Sequence, residues 1–142
     1  MMKSDAVRRS SRWATALMVA LAIVHPGCGK NNNGPETFSD SRNLAVLDAF
    51  GLVFTAQRNG TVDATVNWNN SGNDIDIYAT AGSCASFNAV LAGSCNVIAL
   101  SESATAKPET LTFAASNGTV YTVWAFNLGP GSDTVTTRLT AR

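Results

Sequence analysis

Short runs of alternating apolar and polar residues, separated by turn-forming residues, constrain the fold of this 142-residue chain more than any other feature. In residues 62–68, Val, Ala, Val and Trp alternate with Asp, Thr and Asn. The same period of two recurs in residues 74–79, 110–113 and 133–139. Because successive side chains of a strand point to opposite faces, this pattern predicts strands with one buried face.

Two further runs complete the set of predicted strands. Residues 50–56 read as a first strand, and residues 119–126 are apolar on both faces, as expected for a central strand or one that carries a binding surface. Asn-Gly pairs and a Gly-Pro-Gly segment separate the runs, and no segment after residue 45 shows helical periodicity with caps. Short strands at this spacing predict an all-β sandwich or barrel.

The first 27 residues have the pattern of a secretory signal peptide. Residues 1–12 carry a basic cluster, and residues 13–24 are uncharged and apolar. The apolar run is shorter than the roughly 20 residues that a membrane-spanning helix needs. A buried helix at the start of the fold is the alternative, but such a helix seldom has so basic a flank. The chain is therefore predicted to be exported.

Cys28 follows the apolar run directly after small or turn-forming residues. This segment resembles the lipobox of bacterial lipoproteins, in which a small residue precedes an invariant cysteine. The resemblance implies cleavage before Cys28 and acylation with several chains, enough for a stable membrane anchor. Gly29 in the next position favours the outer membrane. His25 and Pro26 stand where that motif usually has Leu and Ala or Ser, so ordinary secretion is the alternative. Residues 28–44 are predicted to form the lipidated cysteine and a flexible linker.

The other two cysteines, Cys84 and Cys95, each end a Gly-Ser-Cys segment. In an exported chain, two cysteines this close in sequence are expected to form a disulfide. In the chain-entropy model, a loop of this size contributes roughly 3 kcal/mol to stability. A zinc site is the alternative, but two thiolates without a neighbouring histidine are too few ligands.

Charge and histidine content exclude several functions. From residue 28 onward the chain has six basic and nine acidic residues, and this acidic balance argues against a nucleic-acid partner. The single histidine, His25, lies in the predicted signal peptide, so the mature domain has no imidazole for acid–base or nucleophilic catalysis. Asp74 and Asp76 form a carboxylate pair, but residues i and i+2 of one strand form little cleft. The chain is therefore predicted not to be an enzyme.

The predicted strands resemble the bacterial pre-peptidase C-terminal domain over about residues 46–142. The resemblance implies a single antiparallel jelly-roll-like β-sandwich, which we assign to residues 45–142. Members of that family usually accompany secreted proteases, assist export or stability, or bind polymers. No protease domain accompanies the match in this sequence. The matching positions are Trp68, Asp74, Asp76, Tyr78, Pro108, Glu109, Gly118, Tyr121 and Val123.

A candidate calcium site lies at the start of the 74–79 strand. Asp74 and Asp76, with Asn69 and Asn73 just before them, carry the hard oxygen atoms that calcium prefers. The alternative is that the asparagines and Asp74 shape a loop through side-chain-to-backbone bonds, while Asp76 faces solvent.

Three aromatic residues, Trp124, Phe126 and Tyr78, are candidates for ligand binding. If the alternate residues of their strands face the core, these rings point to the other side of the sheet, where they can stack on sugars or anchor a protein. The alternative is burial under a neighbouring loop such as residues 84–95.

Together these features predict a non-catalytic lipoprotein of the bacterial envelope, attached to the membrane by its lipid. Its β-sandwich is predicted to bind a glycan or an envelope protein, without a cofactor other than calcium. The alternatives are a structural or accessory module that stabilises or helps to export an envelope partner and, more distantly, a carboxylate-dependent hydrolase.

Overall fold

The computed structural model describes residues 34–142, in which eight strands and one short helix form. Most of the strands follow from the alternating runs, because the residues that recur at every second position are buried. The elements in chain order are β1 (Glu36–Leu44), β2 (Ala49–Thr55), β3 (Gly60–Trp68), β4 (Asp74–Ala81), α1 (Phe87–Leu91), β5 (Asn96–Ser101), β6 (Glu109–Ala115), β7 (Val120–Gly129) and β8 (Asp133–Ala141).

The strands form two antiparallel sheets of four strands each. Sheet A has the order β1-β8-β3-β6, and sheet B has the order β2-β7-β4-β5. The chain passes from one sheet to the other at every connection except the one between β4 and β5. This strand order is that of an eight-stranded jelly roll. The predicted all-β sandwich is therefore confirmed.

The core lies between the two sheets and consists of the alternating apolar residues. Each fully buried aliphatic side chain contributes roughly 1.5–3 kcal/mol relative to an exposed one. The largest fully buried apolar side chains are Ile75, Ile77, Leu139, Val62, Val66, Val123 and Val135.

The sandwich begins with strand β1 at Glu36, nine residues before the predicted boundary at residue 45. Residues 36–44 are predicted to belong to the flexible linker, but they pair with β8 along their whole length, from Glu36 opposite Ala141 to Leu44 opposite Asp133. Phe38 packs against the core, while the other positions are mostly polar. The prediction fails here because an edge strand with few buried side chains has the composition of a tether.

Two further elements, α1 and β5, lie between β4 and β6 where the sequence pattern predicts no element. Helix α1 has five residues, too few to show helical periodicity, and the Ser86 side chain caps it by accepting a hydrogen bond from the Ala89 backbone N–H. A disulfide joins Cys84 to Cys95 on either side of the helix, with their Cα atoms 5.6 Å apart. The predicted disulfide is therefore confirmed.

The predicted signal peptide, Cys28 and residues 29–33 of the predicted linker lie outside the described residues. Within residues 34–142, no helix has the length and apolar character that crossing a bilayer requires. The lipid anchor at Cys28 therefore stays a prediction.

Candidate functional site

The three aromatic residues predicted to bind a ligand lie on the outer face of sheet B, under another part of the chain. Trp124 and Phe126 are only 8% and 9% exposed, and Tyr78 is half-buried. The ring of Phe87 lies on all three, with centroid distances of 4.6 Å to Phe126, 5.3 Å to Tyr78 and 5.9 Å to Trp124. The structure thus shows the alternative, burial under residues 84–95.

Residues 84–95, here called the disulfide loop, form a second small hydrophobic cluster on sheet B. Phe87 and Val90 are three residues apart, so they share one face of α1, and both are 93% buried against the sheet. The two half-buried cysteines pack against the same cluster. Leu91 is the last residue of the helix and is 60% exposed. The disulfide loop therefore covers the aromatic residues and presents Leu91 to solvent.

A groove of about 470 Å³, lined by apolar and polar residues, runs between the disulfide loop and the turn that joins β1 to β2. The buried rings of Phe87 and Phe126 form its floor, and the exposed side chains of Leu47 and Leu91 stand at its two sides. We call it the Leu47 groove. Its other lining residues are Asp48, Ala49, Ser86 and Asn88.

Leu47 has a backbone conformation that the rest of the turn imposes on it. Its φ angle is +64°, in the left-handed region, which costs a residue with a Cβ atom roughly 1–2 kcal/mol. Its backbone N–H donates to the Asn127 carbonyl at 2.7 Å, and the Asn127 N–H donates to the Asp48 carbonyl at 3.0 Å, so strand β7 holds the turn in place. The side chain is nevertheless 70% exposed. Neither the conformation nor the exposure stabilises the fold, and both points favour a role in binding.

Two more exposed aliphatic residues flank this turn. Val46 and Leu128 are each 42% exposed, and Leu128 directly follows Asn127, which bonds the turn. A Val46 methyl group lies so close to Gly129 that a Cβ atom there would be 3.0 Å from it. Contiguous exposed aliphatic residues of this kind mark interaction surfaces more often than single ones.

Among the four residues predicted to bind calcium, Asn73 has other partners in the structure. The side chain of Asn73 is fully used, since its Nδ2 donates to Asp133 Oδ2 at 3.1 Å and its Oδ1 accepts from the Gly131 N–H at 2.8 Å. Within residues 34–142, no group of three or more Asp, Glu, His or Cys side chains is arranged to hold a metal ion. The Asn73 side chain therefore helps to shape the loop, as in the alternative, and calcium binding stays a prediction.

Asp133, the first residue of β8, holds this loop through hydrogen bonds, and no motif in the sequence predicts this role. Its two carboxylate oxygens accept hydrogen bonds from the backbone N–H groups of Asn69 at 3.1 Å and Asn70 at 2.8 Å. Burial raises the pKa of Asp133, but these bonds and the one from Asn73 outweigh burial and lower the pKa below its usual value. The residue lies 60 positions after Asn73 in the chain, so no local pattern could connect the two.

Asp76 is buried rather than exposed to solvent, which corrects the second part of that alternative. It is 5% exposed and lies opposite Phe126 across the β4–β7 pair. Burial, followed by the charges of Asp74, Glu109 and Glu102, raises the pKa of Asp76 to about 6. A raised carboxyl pKa is what a general acid needs, but Asp76 does not line the Leu47 groove.

Two neighbouring groups share this acidic environment. Glu109 is fully buried, and burial raises its pKa although Ser101 Oγ and the Ser103 backbone N–H donate to its Oε1 at 2.9 and 2.6 Å. The Tyr78 hydroxyl donates to a Glu102 carboxylate oxygen, and burial, followed by this bond, raises the pKa of Tyr78. The carboxyl groups of Asp74, Asp76, Glu102 and Glu109 therefore lie close enough to raise the pKa values of Asp76 and Glu109.

No protein-family model matches the chain, and no curated protein matches it in sequence. Among solved structures, the chain is similar to the Yersinia pseudotuberculosis-derived mitogen, with a TM-score of 0.56 and 11% identity over 76% of this chain and 87% of that one. A second similar structure is Aeromonas hydrophila PliG, a periplasmic lysozyme inhibitor of g-type lysozyme, with a TM-score of 0.49 and 10% identity over 77% and 87% of the two chains. At 11% identity, the likeness to the mitogen shows a shared fold alone.

Proposed function

We propose that this chain is an exported, non-catalytic binding protein of the bacterial envelope that presents the Leu47 groove to a protein partner. One observation carries the proposal: Leu47, a bulky residue at φ +64°, is held 70% exposed beside a groove with an aromatic floor. A side chain of this kind destabilises the free domain slightly, and contact with a partner would bury it.

The lining of the groove favours a protein over a glycan. Sugar rings are bound by stacking on exposed aromatic faces, but Trp124 and Phe126 lie under Phe87. The accessible side chains are those of Leu47 and Leu91, which suit an apolar side chain of another protein. The volume of about 470 Å³ lies in the range of binding clefts.

The position in the cell rests on the disulfide and on the predicted signal peptide. Disulfides persist in oxidising compartments, which supports export. The proposal includes the lipid anchor that the sequence predicts at Cys28. Palmitate labelling of the wild type and of Cys28→Ser tests the anchor, and equal labelling would disprove it.

The chemistry of the groove supports a non-catalytic role. Its one ionisable lining residue is Asp48, and residues 34–142 contain no histidine. Catalysis by paired carboxyl groups needs two of them across an open cleft. The resemblance to the pre-peptidase C-terminal domain, with its accessory roles, stays a prediction beside this proposal.

Site-specific crosslinking in cells tests the proposal. A photo-reactive residue at position 91 should give a crosslinked protein adduct, and this adduct should disappear when Leu47→Glu is added. The matched control is position 110, because Thr110 is exposed on the outer face of sheet A. The proposal is wrong if position 91 gives no adduct, or if positions 91 and 110 give the same adduct.

A further inference from the structure

The one charged residue that lines the Leu47 groove is acidic, and two further carboxyl groups lie behind the lining residues. Asp48 lines the groove and is exposed. Asp76 lies beside Phe126 of the groove floor. Glu102 accepts a hydrogen bond from Tyr78, whose ring lies 5.3 Å from that of Phe87.

The basic residues of the described chain lie elsewhere. Residues 34–142 contain nine acidic and five basic residues, and none of the five lines the groove. Arg42 pairs with Asp40, Arg142 pairs with Asp63, and Lys107 donates to the Asn69 carbonyl. The charge of Asp48 is therefore not neutralised by a basic residue that lines the groove.

We infer that the Leu47 groove binds a cationic amphipathic protein segment. Such a segment would place an apolar side chain between Leu47 and Leu91 and a lysine or arginine against Asp48. The inference rests on the proposed function and names the class of partner. Complementary charge of this kind speeds association and selects partners, while the buried apolar contact supplies most of the affinity.

Two other occupants fit the charges poorly. A second copy of this chain brings the same carboxylate, so a symmetric contact through the groove would place Asp48 near its own counterpart. An anionic membrane surface attracts lysine and arginine and repels carboxylates. A basic protein segment is the occupant that the charge of Asp48 favours.

Two synthetic peptides of twelve residues test the inference with the full chain. One peptide combines leucine with lysine, and the other has glutamate at every lysine position. We expect the lysine peptide to bind at least tenfold more tightly in 50 mM salt, and its affinity to fall as the salt concentration rises. Isothermal titration calorimetry measures both affinities.

Charge variants show whether the groove is responsible. Asp48→Lys should weaken binding of the lysine peptide about tenfold. Glu36→Lys makes the same change in charge at the start of β1, away from the groove, and should alter the affinity less than twofold. Thermal unfolding of both variants confirms that they are folded.

The outcomes separate this inference from the proposed function. Equal binding of the two peptides, lost in both cases with Leu91→Glu, would overturn the cationic partner but leave the groove as a binding site. Binding of the lysine peptide that neither Asp48→Lys nor Leu91→Glu weakens would place it on another surface and also overturn the inference. Failure of the proposed function is read independently, from the crosslinks at position 91.

Discussion

Phe87→Ala tests whether the disulfide loop is what buries the aromatic residues of sheet B. The Phe87 ring is 7% exposed and contacts the rings of Phe126, Tyr78 and Trp124. Removing a buried phenylalanine side chain costs about 3–5 kcal/mol in a protein core. Because the cluster rests on one sheet and is open to solvent on the other side, we expect the lower end of that range, about 3 kcal/mol.

Hydrogen exchange of the Trp124 indole N–H, measured by NMR, reports on this change. The group donates to Thr80 Oγ1 at 3.3 Å and exchanges when the disulfide loop lifts from the sheet. A loss of about 3 kcal/mol from the free energy of that opening accelerates exchange by roughly a hundredfold. Urea unfolding should show a similar loss of stability.

Leu91→Ala is the matched control, because Leu91 belongs to the same helix but is 60% exposed. It should change stability by less than about 0.5 kcal/mol and leave the exchange rate within about threefold. Unchanged exchange in Phe87→Ala, or equal acceleration by both variants, would show that the disulfide loop does not protect the aromatic residues.

Four further changes test the other structural elements. Replacing Cys84 and Cys95 by serine should lower the free energy of unfolding by roughly 3 kcal/mol in urea, and a loss below about 0.5 kcal/mol would contradict a closed loop. Asp76→Asn should raise stability at pH 7.5 by about 1–2 kcal/mol. The pKa of Asp76 is about 6 in the folded chain and 3.8, its ordinary value, in the unfolded chain. Between these two pH values the folded chain keeps the proton and the unfolded chain loses it, so wild-type stability falls as the pH rises from about 4 to about 6. Asp76→Asn should remove that slope from a series of urea titrations. Asp133→Ala should lower the free energy of unfolding by about 3 kcal/mol in calorimetry, because the N–H groups of the loop lose their acceptor. In wild type, the stability that the lowered pKa of Asp133 provides should be lost as acid protonates this group. An equal loss in Asp133→Asn would argue against a role of the charge. Leu47→Gly should stabilise the domain by about 1 kcal/mol in thermal unfolding while abolishing binding in the groove, and destabilisation would refute the account of its φ angle.

The strands that the sequence predicts best are those whose alternate residues are buried, and these include the edge strand β6. Strands β3 and β8 alternate cleanly because each lies inside sheet A and packs against the core. Strands β1 and β5 have Leu44 as their one fully buried residue, so burial constrains their composition less. The sequence pattern therefore predicts a linker where β1 lies and no element where β5 lies.

For the site, the sequence predicted which residues face away from the core but not what lies over them. The alternation placed Trp124 and Phe126 opposite Val123 and Ala125, which the core confirms. Whether that outer face is free depends on Phe87, more than thirty residues earlier. The exposure of Leu47 is likewise set by bonds to β7 and not by its neighbours in sequence.

By itself, the sequence determined the all-β sandwich, most of the core and the disulfide, because these depend on local periodicity and on two cysteines close in the chain. Only the tertiary structure decided which face is open, since long-range packing places the disulfide loop on sheet B and Asp133 under the 69–73 loop. It is this packing that closes the predicted aromatic surface and opens the Leu47 groove beside it. The alternation of a strand determines which side chains face the core. Whether the outer face is open to solvent depends on which distant segment of the chain packs on it.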